Sequence, residues 1–188
     1  MALHSDVTQL VSRAPDGPQI GAFFDFDGTL MAGFSATEFL KEQIKRGGVS
    51  VSDLVETFAT IGSFSLGNIG FSGLMTASAR LLRGVTEASY YEFGEEVYEK
   101  QIAKLIYPES RALVRAHLDK GHTVAIVSSA TPYQVEPAAR DLDVQHVMCS
   151  RLEVEDGEFT GDIVRPLCWG QGKVSACLLY TSPSPRDS

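Results

Sequence analysis

The chain has 188 residues, 44% hydrophobic and 21% charged, with a formal net charge of -8. That length accommodates one domain with a modest insertion. The negative charge argues against a nucleic-acid surface, because no basic cluster exceeds the Lys45-Arg46 pair. No run approaches the roughly 20 apolar residues that a membrane-spanning helix needs.

Met1–Pro18 is polar and mixed, lacks the apolar stretch of a signal peptide, and predicts a flexible leader over 1–18. Cys149, Cys168 and Cys177 show no CxxC spacing, an odd number that suggests reduced thiols and a cytoplasmic setting. His4, His117, His122 and His146 are scattered, so zinc ligation is not indicated.

Ile20–Phe24 is a short apolar run between Pro18 and Gly28, and predicts a buried strand of a parallel sheet. Ser35 and Glu38 form a capping-box pattern ahead of Ala36, Phe39, Leu40, Gln43 and Ile44 at helical spacing, with Gly47-Gly48 as a stop. Further helices are predicted over Ser52–Ile61, Phe71–Leu82 and Glu87–Lys104, so 34–106 reads as all-helical. Pro108–Lys120 reads as a helix with Pro at its first position and Gly121 past its end. Thr123–Val127 predicts a second buried strand, Thr131 to Leu142 a helix, and Gln145–Cys149 a third strand. Asp156-Gly157, flanked by Leu152–Val154 and Glu158–Thr160, predicts a hairpin. The order implies an α/β fold: a Rossmann-like parallel sheet interrupted by a helical cap. The divisions are 19–33 and 107–176 for the core and 34–106 for the cap.

The string Asp25-Phe26-Asp27-Gly28-Thr29-Leu30 carries the chemistry. Two carboxylates at the end of a buried strand face the crevice where α/β sheets bind ligands. A cation relieves their repulsion, and oxygen donors suit Mg²⁺. One carboxylate can attack phosphorus to form an aspartyl-phosphate, and the other can protonate the leaving group and then activate water. Ser128, after the apolar run Val124–Val127, presents a hydroxyl at a strand-to-helix turn suited to phosphoryl oxygens, with Ser129 adding its N–H. Lys173, in Gly170-Gln171-Gly172-Lys173, is not part of a P-loop, because Val174 and Leu167 stand where Ser/Thr and the first Gly are required.

The hexapeptide resembles the first motif of the haloacid dehalogenase superfamily. Ser128 and Lys173 match its second and third motifs. The resemblance implies Asp25 as nucleophile, Asp27 as general acid/base, Asp25 and Asp27 as Mg²⁺ ligands, and Ser128, Ser129 and Lys173 around the phosphoryl group. A fourth, acidic motif is missing after Lys173. The insert between the first two motifs makes residues 19–176 similar to the phosphoserine-phosphatase-like branch, subclass IB, as does Gly157–Gly161. Gly21–Val174 also resembles the phosphatase-like half of actinobacterial proteins fused to a 1-acylglycerol-3-phosphate acyltransferase, through Tyr107–Ser110 and Ser128–Tyr133. Phosphoserine phosphatases carry a Glu where this chain has Phe34, and Arg80 and Arg83 stand out of register with their cap arginine. An apolar Phe34 at the pocket suits an amine poorly, so the expected substrate is a different small or lipid-derived phosphomonoester.

Cys177–Asp187 resembles the translation of a transposase adapter used in sequencing libraries, which predicts a non-native tail over 177–188 and a helix ended by Pro183 and Pro185. On that expectation the chain is a truncated phosphatase of weak activity and low stability. The alternative is a non-catalytic regulatory or ligand-binding domain of an acyltransferase fusion. Transfer of the phosphoryl group to an acceptor other than water would use the same residues.

Overall fold

A computed structural model describes residues 2–47 and 51–181. Residues 182–188 of the expected tail lie outside the described residues. The chain begins with α1 (Ala2–Arg13) rather than with the expected flexible leader. Val11 is buried, and the helix packs against α6 (Pro108–Asp119). The segment after it is also tied down. The His122 ring donates from Nε2 to the Pro15 carbonyl at 2.9 Å, Gly17 N–H reaches the Lys120 carbonyl at 2.9 Å, and Lys120 pairs with Asp16.

The core sheet is parallel. β1 (Gly21–Phe24) pairs with β2 (Thr123–Val127), and β2 with β3 (His146–Met148). Central β2 is buried along Val124–Val127, as its unbroken apolar run requires. β1 is less enclosed than its sequence predicts: Ala22 is buried but Phe23 is 39% exposed, because among the described residues β1 has a strand on one side alone. β4 (Leu152–Glu155) and β5 (Glu158–Ile163) form the expected antiparallel hairpin. Asp156 and Gly157 both adopt positive φ, 51° and 82°, which is the backbone that a tight two-residue turn demands.

The insert is helical: α2 (Ser35–Lys45), α3 (Val51–Ser65), α4 (Phe71–Arg80) and α5 (Glu87–Val97). The last predicted helix is not uniform. It widens into a π-type turn over Tyr98–Ile102 and tightens into a 3-10 turn over Ala103–Leu105, with Val97, Tyr98 and Ile102 all buried. The cap does not stand apart from the core. Phe39 meets Phe93 edge-on at 5.3 Å, Tyr90 meets Tyr133 at 5.1 Å, and Tyr133 meets Phe159 at 5.4 Å. Such offset and edge-on ring pairs add to the area they bury. Tyr133 belongs to α7 (Pro132–Asp141), and its hydroxyl donates to Glu87 at 2.8 Å. At Gly94 the helices α5 and α7 approach so closely that a Cβ would lie 2.3 Å from the Tyr133 carbonyl oxygen.

The last element among the described residues is α8 (Gln171–Thr181). It runs through Cys177 to Thr181, so this part of the expected tail continues the helix. No helix among the described residues is long and apolar enough to cross a membrane.

Candidate active site

β1 delivers Asp25 at its C-terminal end. The next residues fold back sharply, with the Phe26 carbonyl accepting N–H groups from Thr29, Leu30 and Met31 at 3.3, 3.0 and 3.2 Å. Phe26, Leu30 and Met31 are driven into the core, which leaves Asp25 and Asp27 on the opposite side of the turn. A string of two acids separated by one apolar residue thus projects both carboxyls where the sheet ends.

Asp25 is 43% exposed at its side chain. Its Oδ1 accepts from the Phe26 N–H at 2.9 Å and from Lys173 Nζ at 2.7 Å. Lys173 is placed by the first turn of α8, and that turn is tightly seated: a Cβ on Gly172 would fall 1.8 Å from the Leu167 carbonyl oxygen.

Asp27 Oδ1 accepts the Ser35 N–H at 2.7 Å. The expected capping box on Ser35 and Glu38 is therefore corrected. Phe34 is the N-cap of α2, Ser35 is the first helical residue, and the cap is supplied from outside the helix by the Asp27 carboxylate. Burial raises the Asp27 pKa, opposed by the Ser35 N–H, and the nearby negative charge of Asp25 raises it further. An acid so placed is more readily protonated than an ordinary Asp.

Ser128 is fully buried directly after β2, with its N–H on the Met148 carbonyl at 2.9 Å and its Oγ accepting from the Ala130 N–H at 3.1 Å. Ser129 beside it is partly exposed. The turn is held by Gln134 Oε1, which accepts from both the N–H and the hydroxyl of Thr131 at 2.9 and 2.8 Å. Phe34 is 67% exposed, so it is no core aromatic.

The structure joins Asp25 to Lys173 directly and sets Ser128 at the end of the adjacent strand. Sequence reasoning missed Ser35 as the partner of Asp27, because it read the residue as a cap for its own helix. It also missed Ser110, whose hydroxyl donates to the Thr29 carbonyl at 3.2 Å and pins the acidic turn to α6. No local pattern marks a bond between residues 81 positions apart.

As a metal site the donor set is hard and anionic. Mg²⁺ commonly keeps several waters and takes one or two carboxylates plus substrate oxygens, and the Asp25 carboxylate with the Asp27 backbone carbonyl can supply the protein's share. The buried Ser35 Oγ has no hydrogen-bond partner among the described residues, leaving an unmet polar atom on the residue that bonds Asp27. No group of three or more His, Cys, Asp or Glu side chains able to hold a metal occurs among the described residues.

The family model described as haloacid dehalogenase-like hydrolase matches residues 22–185. Phosphoserine phosphatase SerB1 of Mycobacterium tuberculosis is 32% identical over 160 residues, covering 82% of this chain and 52% of that protein. The chain spans about half the length of the curated relatives it matches. Among solved structures, a Bordetella pertussis protein of unknown function superposes with a TM-score of 0.77 at 23% identity, covering 87% of this chain and 74% of that one. A phospho-aspartyl intermediate analogue of phosphoserine phosphatase superposes with a TM-score of 0.53 at 21% identity, covering 78% of this chain and 63% of that one. These structural likenesses concern the fold.

Proposed function

This chain belongs to the haloacid dehalogenase-like hydrolase family, and from that premise we propose that it is a phosphomonoester hydrolase acting through a phosphorylated Asp25. The observation that carries the reading is the 2.7 Å contact between Lys173 Nζ and Asp25 Oδ1. It sets the nucleophilic carboxylate beside a cation that can also receive phosphoryl oxygens.

Among the described residues the hydrogen bonds to Asp25 fall on Oδ1, which leaves Oδ2 as the oxygen that attacks phosphorus. As the P–O bond to the leaving group breaks, Asp27 donates its proton to the departing oxygen, a role suited to its raised pKa. Asp27 then takes a proton from water, whose oxygen attacks the same phosphorus, and Asp25 leaves as a free carboxylate. Ser128, the Ser129 N–H and Lys173 hold the phosphoryl oxygens throughout. The Asp25 carboxylate and the Asp27 backbone carbonyl would hold Mg²⁺, which would supply positive charge against the transferring group and the repulsion between the two acids.

The substrate class is a small phosphomonoester. Relatives named phosphoserine phosphatase make phosphoserine the first compound to test. Phe34, exposed and uncharged, offers an ammonium no partner, which favours a different organic group. The non-catalytic alternative is not favoured by relatives named as phosphatases, and they add no support for an acyltransferase fusion.

The test is phosphate release from a phosphomonoester panel, with Mg²⁺ and with chelator, for the chain and for Asp25→Asn. A hydroxylamine-sensitive acyl phosphate should form on the chain and not on the variant. Equal release from both proteins would overturn Asp25 as nucleophile.

A further inference from the structure

A second cavity, of about 500 Å³, opens on the seam between cap and core. One wall is the start of α4, with Phe71 and Ser72; the other is the loop entering α8, with Arg165, Leu167 and Trp169. The volume falls in the range of small-molecule sites. Phe71 and Trp169 stack across the seam, with ring centroids 4.4 Å apart and planes 14° from parallel. Trp169 nonetheless remains 51% exposed. Arg165 Nη1 donates to Ser72 Oγ at 3.2 Å, which fixes a guanidinium at the lip. Among the described residues no carboxylate lines the cavity.

The cavity borders the first turn of α8, the element that places Lys173. Gly172 lines it, and the next residue, Lys173, bonds Asp25.

We propose that this slot binds the organic part of the substrate and that it selects phosphomonoesters carrying a flat aromatic group. The proposal rests on the phosphatase reading of Asp25. An aromatic ring extends the existing two-ring stack over the open part of Trp169. Leu167 and Pro166 give it an apolar wall, and Arg165 meets the π face or an anionic ring substituent. Aliphatic amino-acid phosphates lack the flat ring that this stack accommodates, so they fit worse.

Trp169 is the one tryptophan of the chain, so its emission reports on the slot without interference. Phenylphosphonate, which cannot be hydrolysed, is titrated into the chain and into Asp25→Asn. Saturable change in Trp169 emission is expected, with none from methylphosphonate. Phe71→Leu keeps apolar bulk but removes the ring, and should weaken phenylphosphonate binding by up to about tenfold, the scale of one lost ring pair. In turnover, Trp169→Ala should raise KM for phenyl phosphate by a similar factor while leaving KM for glycerol phosphate within about twofold. Absence of any saturable emission change, or an equal KM loss for both esters, overturns the slot. Phosphate release with no aromatic preference sinks the slot and spares the phosphatase. Binding of phenylphosphonate without release of phosphate from any ester sinks the phosphatase and leaves an aryl-phosphate-binding site.

Discussion

Lys173 and Asp25 stand 148 positions apart in the chain and 2.7 Å apart in space. Both side chains are partly exposed, so the ion pair itself adds little to stability. Lys173→Ala should therefore lower kcat by about 10²–10³ while hardly moving the melting temperature. Ser128→Ala should differ. Its Oγ is fully buried and accepts the Ala130 N–H, so truncation leaves that donor unmet at a cost of about 1–3 kcal/mol. A loss of rate and a lower melting temperature are expected together, measured by phosphate release and calorimetry on one preparation. These residues were legible in the sequence because two acids at a strand end, and a hydroxyl at the end of another, are chemically conspicuous. Arg165 and Ser72 were not. They meet across 93 positions, and nothing in a local pattern brings such a pair to one lip.

The elements were more readily read than their ends. Apolar runs bounded by Gly and Pro identified β1, β2 and the hairpin, while α1 was missed because its anchorage is distant: Pro15 and Asp16 are held by His122 and Lys120. That anchorage is sensitive to pH. The Pro15 carbonyl can only accept, so neutral His122 carries its proton on Nε2, and its Nδ1 accepts from His117 Nδ1 at 2.9 Å. Burial, and then the neighbouring His122, lowers the His117 pKa below its ordinary 6.5. Protons thus bind the unfolded chain more readily, and stability present above that pH is lost as pH falls through 6.5 toward the lowered folded value. Carboxylates held low by cations, such as Asp141 beside Arg111, give up their contribution at lower pH, below the ordinary 3.8. The melting temperature should fall between about pH 7.5 and 5.5, and His117→Gln should flatten that slope. At the α5–α7 crossing, Gly94→Ala gains up to about 1 kcal/mol of helix propensity. It also drives a methyl to 2.3 Å from the Tyr133 carbonyl oxygen, an overpacking of about 1–3 kcal/mol. Chemical denaturation should show a net loss.

At the scale of the molecule, the sequence separates a helical insert from an α/β core, and the backbone follows that division. The packing does not, because Tyr90 of the insert, itself in contact with Phe39 and Phe93, meets Tyr133 and Phe159 outside it, and Tyr91 meets Tyr133. An excised 34–106 segment would expose those faces to water, and should show no cooperative melt by circular dichroism. The chain enters and leaves the cap through two segments that are bonded to each other: Ala32 N–H to the Leu105 carbonyl at 2.9 Å and Tyr107 N–H to the Leu30 carbonyl at 3.0 Å. A third tie joins the cap to the β4–β5 hairpin, with Gly84 N–H on the Phe159 carbonyl at 2.9 Å and Glu87 N–H on the Gly157 carbonyl at 2.8 Å. Two fastened crossings alone would act as a door hinge, free to swing about one axis. The third fixes a point off that axis, so the door cannot swing while its latch holds. Access to Asp25 by cap movement then requires either the release of those amide bonds or the hairpin travelling with the cap as one leaf.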